Sequence, residues 1–193
     1  MFHMKQFGYK MEGNKSTLEY IELLDKWNKK INLISKGEFD DIWERHIFDS
    51  LQLLKFVDQK DHILDVGSGA GFPGILLAIN GMKNVTLVES DSRKVAFLLQ
   101  ASQLAPCGVS ILNKRIEDVE LECDILTARA FASINDILRL CFKIKVRKKI
   151  VLLKGERVKE EIEEALKNWN FNYKLHSSET HKKSWVVELW RLS

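Results

Sequence analysis

Residues 62–74 read H-I-L-D-V-G-S-G-A-G-F-P-G, and the fold class follows from how this stretch changes character along its length. Ile63, Leu64 and Val66 form a short β-branched and aliphatic run of the kind that fills a buried strand. Gly67, Gly69, Gly71 and Gly74 follow, four glycines within eight residues. They give a turn that tolerates positive φ and lets a ligand come close to the backbone. The next residues, G-I-L-L-A-I, read as a helix. Strand, glycine loop and helix together make the nucleotide-binding corner of an open α/β sheet.

A second apolar run, N-V-T-L-V-E at residues 84–89, stops at an acid. A carboxylate there can accept hydrogen bonds from both hydroxyls of a ribose whose other end lies over the glycines, which makes Glu89 the expected ribose ligand. Residues 69–74 also fit G-x-G-x-x-G, with Glu89 at the customary distance of about 20 residues, so an NAD-dependent oxidoreductase is the alternative to test. Asp65 argues against it, because a carboxylate at the strand end would repel a pyrophosphate. It suits a cationic group instead, such as the methionine amine of S-adenosylmethionine. A ligand-free turn would not need four glycines, each costing about 0.5–1 kcal/mol of chain entropy.

Outward from this corner the chain alternates strands and helices. Strands are expected at residues 85–88, 109–112, 123–126 and 149–153, with helices over 92–104 and from about Ser133. This is the pattern of a parallel sheet with right-handed crossovers. A charged helix is expected over residues 155–169, with Val158, Ile162, Ala165, Leu166 and Trp169 toward the sheet and its Glu and Lys residues as a solvated face. Residues 171–176 and 185–192 follow without a helix between them, so the sheet should end in an antiparallel pair.

Ahead of the corner, Ser16 and Glu19 have capping-box spacing, and Leu18, Ile21, Leu24, Trp27 and Ile31 recur at helical spacing as a core stripe. A break at residues 35–37 precedes a second amphipathic helix whose stripe is Trp43, Ile47, Leu51 and Leu54, with Arg45, His46 and Asp49 beside it. His46 has a structural and a functional reading. Basic edges at Lys29, Lys30 and Arg45 are candidates for phosphate, and residues 143–149, K-I-K-V-R-K-K, read either as a solvated loop or as a further phosphate cluster.

At 193 residues the chain suits one domain, residues 1–193, with residues 1–60 as a helical part packed on it. No apolar run reaches the roughly 18 residues of a membrane span, and residues 1–15 lack the apolar centre of a signal peptide, so the expected location is the cytoplasm without a membrane partner. Cys107, Cys123 and Cys141 are too few for a disulfide framework or a zinc cluster and read as buried small hydrophobes; no metal is expected. The net charge of +3 permits a nucleic-acid partner without requiring one.

Two further segments lie at expected strand ends. R-I-E-D at residues 115–118 offers an apolar face to an adenine and a carboxylate to its amino edge. T-A-R-A-F at residues 127–131 carries Arg129, which either meets a ligand carboxylate or phosphate with its planar fork or pairs with an acid such as Asp65 or Asp124.

Taken together, N-L at residues 32–33, R-H-I-x-D-S at 45–50, D-V-G-S-G-x-G-F-P-G at 65–74, R-A-F-A-S at 129–133 and L-K-G at 153–155 resemble the ribosomal small-subunit methyltransferase G family, also called glucose-inhibited division protein B. The resemblance runs from about Ser16 onward in the same order. Ile34 stands where that family commonly has threonine, and Leu76 where it has a second proline.

The resemblance implies a Rossmann-like, class I S-adenosylmethionine-dependent methyltransferase sheet of seven strands with an antiparallel end, plus N-terminal helices. It implies methylation of a guanine N7 in 16S ribosomal RNA, free or in the small ribosomal subunit; the sequence shows no obvious oligomer seam, so a monomer is expected. It also implies cofactor contacts at Gly67, Phe72, Ile116, Glu117 and Arg129, beside Gly69 and Glu89, and RNA contacts at Asn32, Arg45 and His46. An RNA-binding module without activity is the remaining alternative. Because guanine N7 carries a lone pair and no proton, no general base is expected, in keeping with the absence of a nucleophile-and-base pair in the sequence.

Overall fold

The computed structural model describes residues 15–35, 37 and 39–192. Seven strands lie in the order β3-β2-β1-β4-β5-β7-β6. They are β1 (His62–Val66), β2 (Asn84–Glu89), β3 (Val109–Asn113), β4 (Leu121–Arg129), β5 (Ile144–Lys154), β6 (Asn172–Ser177) and β7 (Trp185–Trp190). The first five are parallel, and β7 runs antiparallel between β5 and β6. Strand order reverses between β1 and β4, which opens a crevice at their carboxyl ends.

Helices cover both faces because successive strand residues point opposite ways. Ile63, Leu87, Ile125 and Val151 pack on one side with α1 (Lys15–Asn28), α3 (Gly74–Ile79) and α4 (Ser92–Ala101). Leu64, Val88, Leu126 and Leu152 pack on the other with α5 (Ile134–Leu140) and α6 (Val158–Ala165). Every residue of α3 is buried, as its unbroken apolar sequence requires. Asp91 caps α4 by accepting the Arg93 amide at 2.9 Å, and Ser133 caps α5 through the Asp136 amide at 3.1 Å.

The helices ahead of the sheet differ from the sequence expectation in register. The α1 core face is Thr17, Tyr20 and Leu24, while Leu18 is 47% exposed. Tyr20 sets this rotation: its ring is fully buried, and its hydroxyl reaches the Ala70 carbonyl of the glycine loop at 2.5 Å. Ser16 lies inside the helix and cannot cap it, and Glu19 pairs with Lys15 at 3.5 Å. The second helix, α2, changes winding from π over Trp43–Phe48 to α over Asp49–Leu51 and 3-10 over Gln52–Phe56. The altered winding buries Ile47, Leu51 and Leu53 fully or nearly so, leaving Leu54 half-buried instead of Leu53. The expected break at Lys36 and the reading of residues 1–14 lie outside the described residues.

Residues 143–149 form no loop. From Ile144 they are the amino half of β5, and their charges face acids on adjacent elements. Arg147 meets Asp124 at 3.1 Å, Lys145 meets Glu122 at 3.3 Å, Lys149 meets Glu188 at 2.5 Å, and Lys148 pairs with Asp61. This end of the strand is opposite the crevice, so the cluster is too remote to hold phosphates there. Cys123 and Cys141 are buried thiols that burial pushes up to about 12, whereas Cys107 is only partly covered. Among the described residues no helix is long and apolar enough to cross a membrane.

Candidate active site

At the crevice the chain leaves β1 through Gly67 at φ +66°, where a side chain would also collide with the Phe131 ring, 2.1 Å from an ideal Cβ. Gly74 lacks room for a different reason: its Cβ would fall 2.3 Å from Leu87 Cδ2 and 2.9 Å from Asp65 Cβ. The glycines therefore let Phe131 close on the loop from above and Asp65 sit directly beneath it.

Asp65 corrects the sequence reading. It is fully buried under the loop and does not line the cavity, so it is not available to a ligand's amine. Oδ1 accepts the Thr127 hydroxyl at 3.1 Å, while Oδ2 has no hydrogen-bond partner among the described residues. Burial pushes its carboxyl up to about 7.

Glu89, at the end of β2, does face the cavity. Oε2 accepts the Gly69 amide at 2.9 Å and Oε1 the Asp91 amide at 2.8 Å, which fixes the carboxylate while each oxygen keeps a second lone pair. Asn113 steadies the same strand end by donating to the Glu89 carbonyl at 3.0 Å.

The cavity has a volume of about 950 Å³. Gly67, Gly69, Phe72, Glu89, Ile116, Glu117 and Arg129 all line it, although they come from four separate segments of the chain. Ile116 is buried on a 3-10 turn, Ile116–Asp118, while Glu117 beside it is exposed. Asn32 and His46 also line the cavity. His46 is buried with its ring stacked on Phe72 at 4.9 Å. Arg45 does not line it; its side chain is exposed and its carbonyl turns inward.

Arg129 ends β4 and ties the cavity wall to α2. Its Nε lies 3.2 Å from Asp49 Oδ2, one terminal nitrogen meets His46 Nδ1 at 2.8 Å, and the other donates to the Arg45 carbonyl. The guanidinium only donates, so His46 Nδ1 is the acceptor. Arg129 also lies over the Phe72 ring at 5.5 Å. The acid it finds is Asp49, neither Asp65 nor Asp124. Burial raises the Asp49 carboxyl even though Arg129 works in the opposite direction. Helical spacing puts His46 and Asp49, three residues apart, on one side of α2, but does not reveal that Arg129 meets them.

The residue after Arg129, Ala130, has φ +48°, a strained conformation for a non-glycine residue. It stands in a wall, made of Arg129, Ala130, Phe131 and Ala132, that borders a second cavity of about 770 Å³. That cavity extends to Lys154 and Gly155 at the carboxyl end of β5 and to one face of α6.

A sequence model of the family described as rRNA small subunit methyltransferase G matches residues 13–187. A protein of Orientia tsutsugamushi (strain Ikeda), "Ribosomal RNA small subunit methyltransferase G", is 49% identical over 172 residues, 89% of this chain and 87% of its own. A Rickettsia rickettsii (strain Sheila Smith) protein of the same name is 45% identical over 188 residues, covering 95% and 98% of the two chains. Among solved structures, magnesium protoporphyrin IX methyltransferase from Synechocystis PCC 6803 shares the fold with TM-score 0.61 at 13% identity, over 90% of this chain and 96% of its own.

Proposed function

This chain belongs to the rRNA small subunit methyltransferase G family, and from that premise we propose that it transfers a methyl group from S-adenosylmethionine to N7 of a guanine in 16S ribosomal RNA. The observation that carries the reading is the single cavity in which glycine loop, Glu89, Ile116, Glu117 and Arg129 converge. Its parts fit the methyl donor: an immobilised carboxylate for the ribose, an apolar side chain for the adenine face, and a loop whose amides and open space at Gly69 admit the chain that carries the sulfur.

When bound, S-adenosylmethionine supplies a methyl group on positively charged sulfur. Glu89 grips the ribose hydroxyls, Ile116 covers the adenine, and Glu117 stands at its amino edge. Arg129 and Phe72 bound the methionine end. The protein's work is to align N7 with the methyl and to exclude water; no residue has to remove a proton, because N7 has none.

RNA phosphates are met by Lys94, Lys114 and Arg115 at the cavity mouth, with Lys30 and Arg45 beyond it. Asn32 and His46 act from the cavity wall. We further propose a cytoplasmic monomer in which residues 1–60 and the sheet work as one domain, since Arg129 and Tyr20 bond across that division. Methyl transfer to small-subunit RNA from labelled donor, with the modified base located by mass analysis, tests the activity. Binding of S-adenosylhomocysteine without transfer would leave an RNA-binding module, and preference for NAD would revive the oxidoreductase.

A further inference from the structure

β6 ends at Ser177 and β7 begins at Trp185, which pairs with Lys154, so the loop over residues 178–184 stands at the carboxyl end of β5, on the crevice side of the sheet. A turn between antiparallel strands can satisfy its polar groups within the hairpin. This one directs several of them to α2, from 126 to 131 residues earlier in the chain. Thr180 Oγ1 lies 3.0 Å from Asp49 Oδ1, Gln52 Nε2 donates to Ser178 Oγ at 3.2 Å, and the Glu179 amide donates to Gln52 Oε1 at 3.2 Å. Lys55 pairs with Glu179 beside them.

The protons of this cluster can be assigned. Asp49 is nearly buried and paired with Arg129, and its carboxylate only accepts, so the Thr180 hydroxyl donates to it. A hydroxyl has one proton. Thr180 Oγ1 is therefore the acceptor in its 2.9 Å contact with Ser178 Oγ, and Ser178 in turn accepts the Thr180 amide at 3.2 Å. The bonds run one way, from Ser178 to Thr180 to Asp49. Gln52 Nε2 reaches the same Asp49 Oδ1 at 2.8 Å. With Oδ1 taken up by the loop and the helix, Oδ2 faces Arg129 Nε at 3.2 Å. Burial opposes the charge on Asp49, and Arg129 followed by the Thr180, Ser178 and Gln52 donors favours it.

We infer that Thr180 is a positioning residue for the donor site: by fixing the Asp49 carboxylate it sets the direction of Arg129, which walls the cavity. The inference rests on the methyltransferase reading above, in which Arg129 bounds the methionine end of the donor. Thr180 does not itself line that cavity, so its contribution to donor binding passes through Asp49. The His46 ring and the Arg45 carbonyl hold the terminal nitrogens of Arg129 independently of the loop. Loss of the Thr180 hydroxyl therefore tilts the guanidinium without releasing it, and the effect is partial.

The test is calorimetry with S-adenosylhomocysteine on the full chain, with melting curves to check folding. Thr180→Val keeps the shape and removes the donor; Thr180→Ser restores the donor. Thr180→Val should weaken S-adenosylhomocysteine about three- to tenfold, part of the effect of losing a hydrogen bond to a charged group, and Thr180→Ser should return to the parent affinity. The KM for small-subunit particles at saturating donor should stay at the parent value. In an Asp49→Asn background, Thr180→Val should change the affinity by less than about twofold, because the relay is already cut. If Asp49→Asn does not fold, Ser178→Ala replaces it: a Thr180→Val effect smaller there than in the parent supports the relay, and an undiminished one overturns it. Parent affinity in Thr180→Val, a Thr180→Ser variant as weak as Thr180→Val, or an equal penalty in the Asp49→Asn background would also overturn it. A parent that does not bind S-adenosylhomocysteine would overturn the methyltransferase reading itself, a distinguishable outcome.

Discussion

At the amino ends of β1, β4 and β5, Arg147 meets Asp124, Lys145 meets Glu122 and Lys148 meets Asp61, each between neighbouring strands or the turn that leads into one. At the carboxyl ends of the same strands, charges are held from far away in sequence: Arg129 by Asp49, His46 and the Arg45 carbonyl of α2, and the glycine loop by Tyr20 of α1. Neighbour pairing neutralises a rim and leaves no space. Long-range holding keeps charged groups fixed around a cavity that would otherwise collapse or fill. Catalytic potential therefore depends less on how much charge a rim carries than on what restrains it.

Four substitutions probe this difference, from the largest expected effect to the smallest. Glu89→Ala removes the acceptor of the Gly69 and Asp91 amides together with the ribose contact, and should weaken S-adenosylhomocysteine binding about a hundredfold by calorimetry. Unchanged affinity would separate the cavity from the donor. Arg129→Met leaves the largely buried Asp49 without its cation and should destabilise the fold by about 2–4 kcal/mol in denaturant titration, with methyl transfer falling more than tenfold.

Asp65→Asn bears on pH. With its folded value near 7 against 3.8 when exposed, the folded chain retains a proton that the unfolded chain releases, so stability falls as pH rises from about 4 to 7. The variant should melt a few degrees above the parent at pH 8 and lose that advantage near pH 4. A gain of the same size at both pH values would contradict the buried-carboxyl account. Last, Arg147→Ala at the amino rim should leave donor affinity and methyl transfer unchanged; a loss of activity there would break the distinction between the rims.

Much of the site was legible in the sequence because it is local. Strand, glycines and helix form a contiguous signal, and Glu89 closes the next strand, so the corner can be read without knowing what packs on it. Ile116 and Glu117 were found the same way, as residues just past a strand. What escaped depended on rotation or distance. Tyr20 outranks Leu18 on α1 because its hydroxyl finds a carbonyl fifty residues away. Leu53 outranks Leu54 because α2 is not wound at 3.6 residues per turn. Asp65 is withheld from the cavity by the close approach of Gly74, which no spacing rule reveals.

The position of β7 governs the order in which the sheet can assemble. In the sheet β6 touches only β7, and β7 fills the gap beside β5, burying Val186, Val187 and Leu189. Until residues 185–190 arrive, β6 has no edge to join and the flank of β5 stays open, including Val151 and Leu153. The last two strands must therefore add as a paired hairpin or with the later one first, and Lys154, at the end of that same flank, gains its rigid surroundings only when this step is complete.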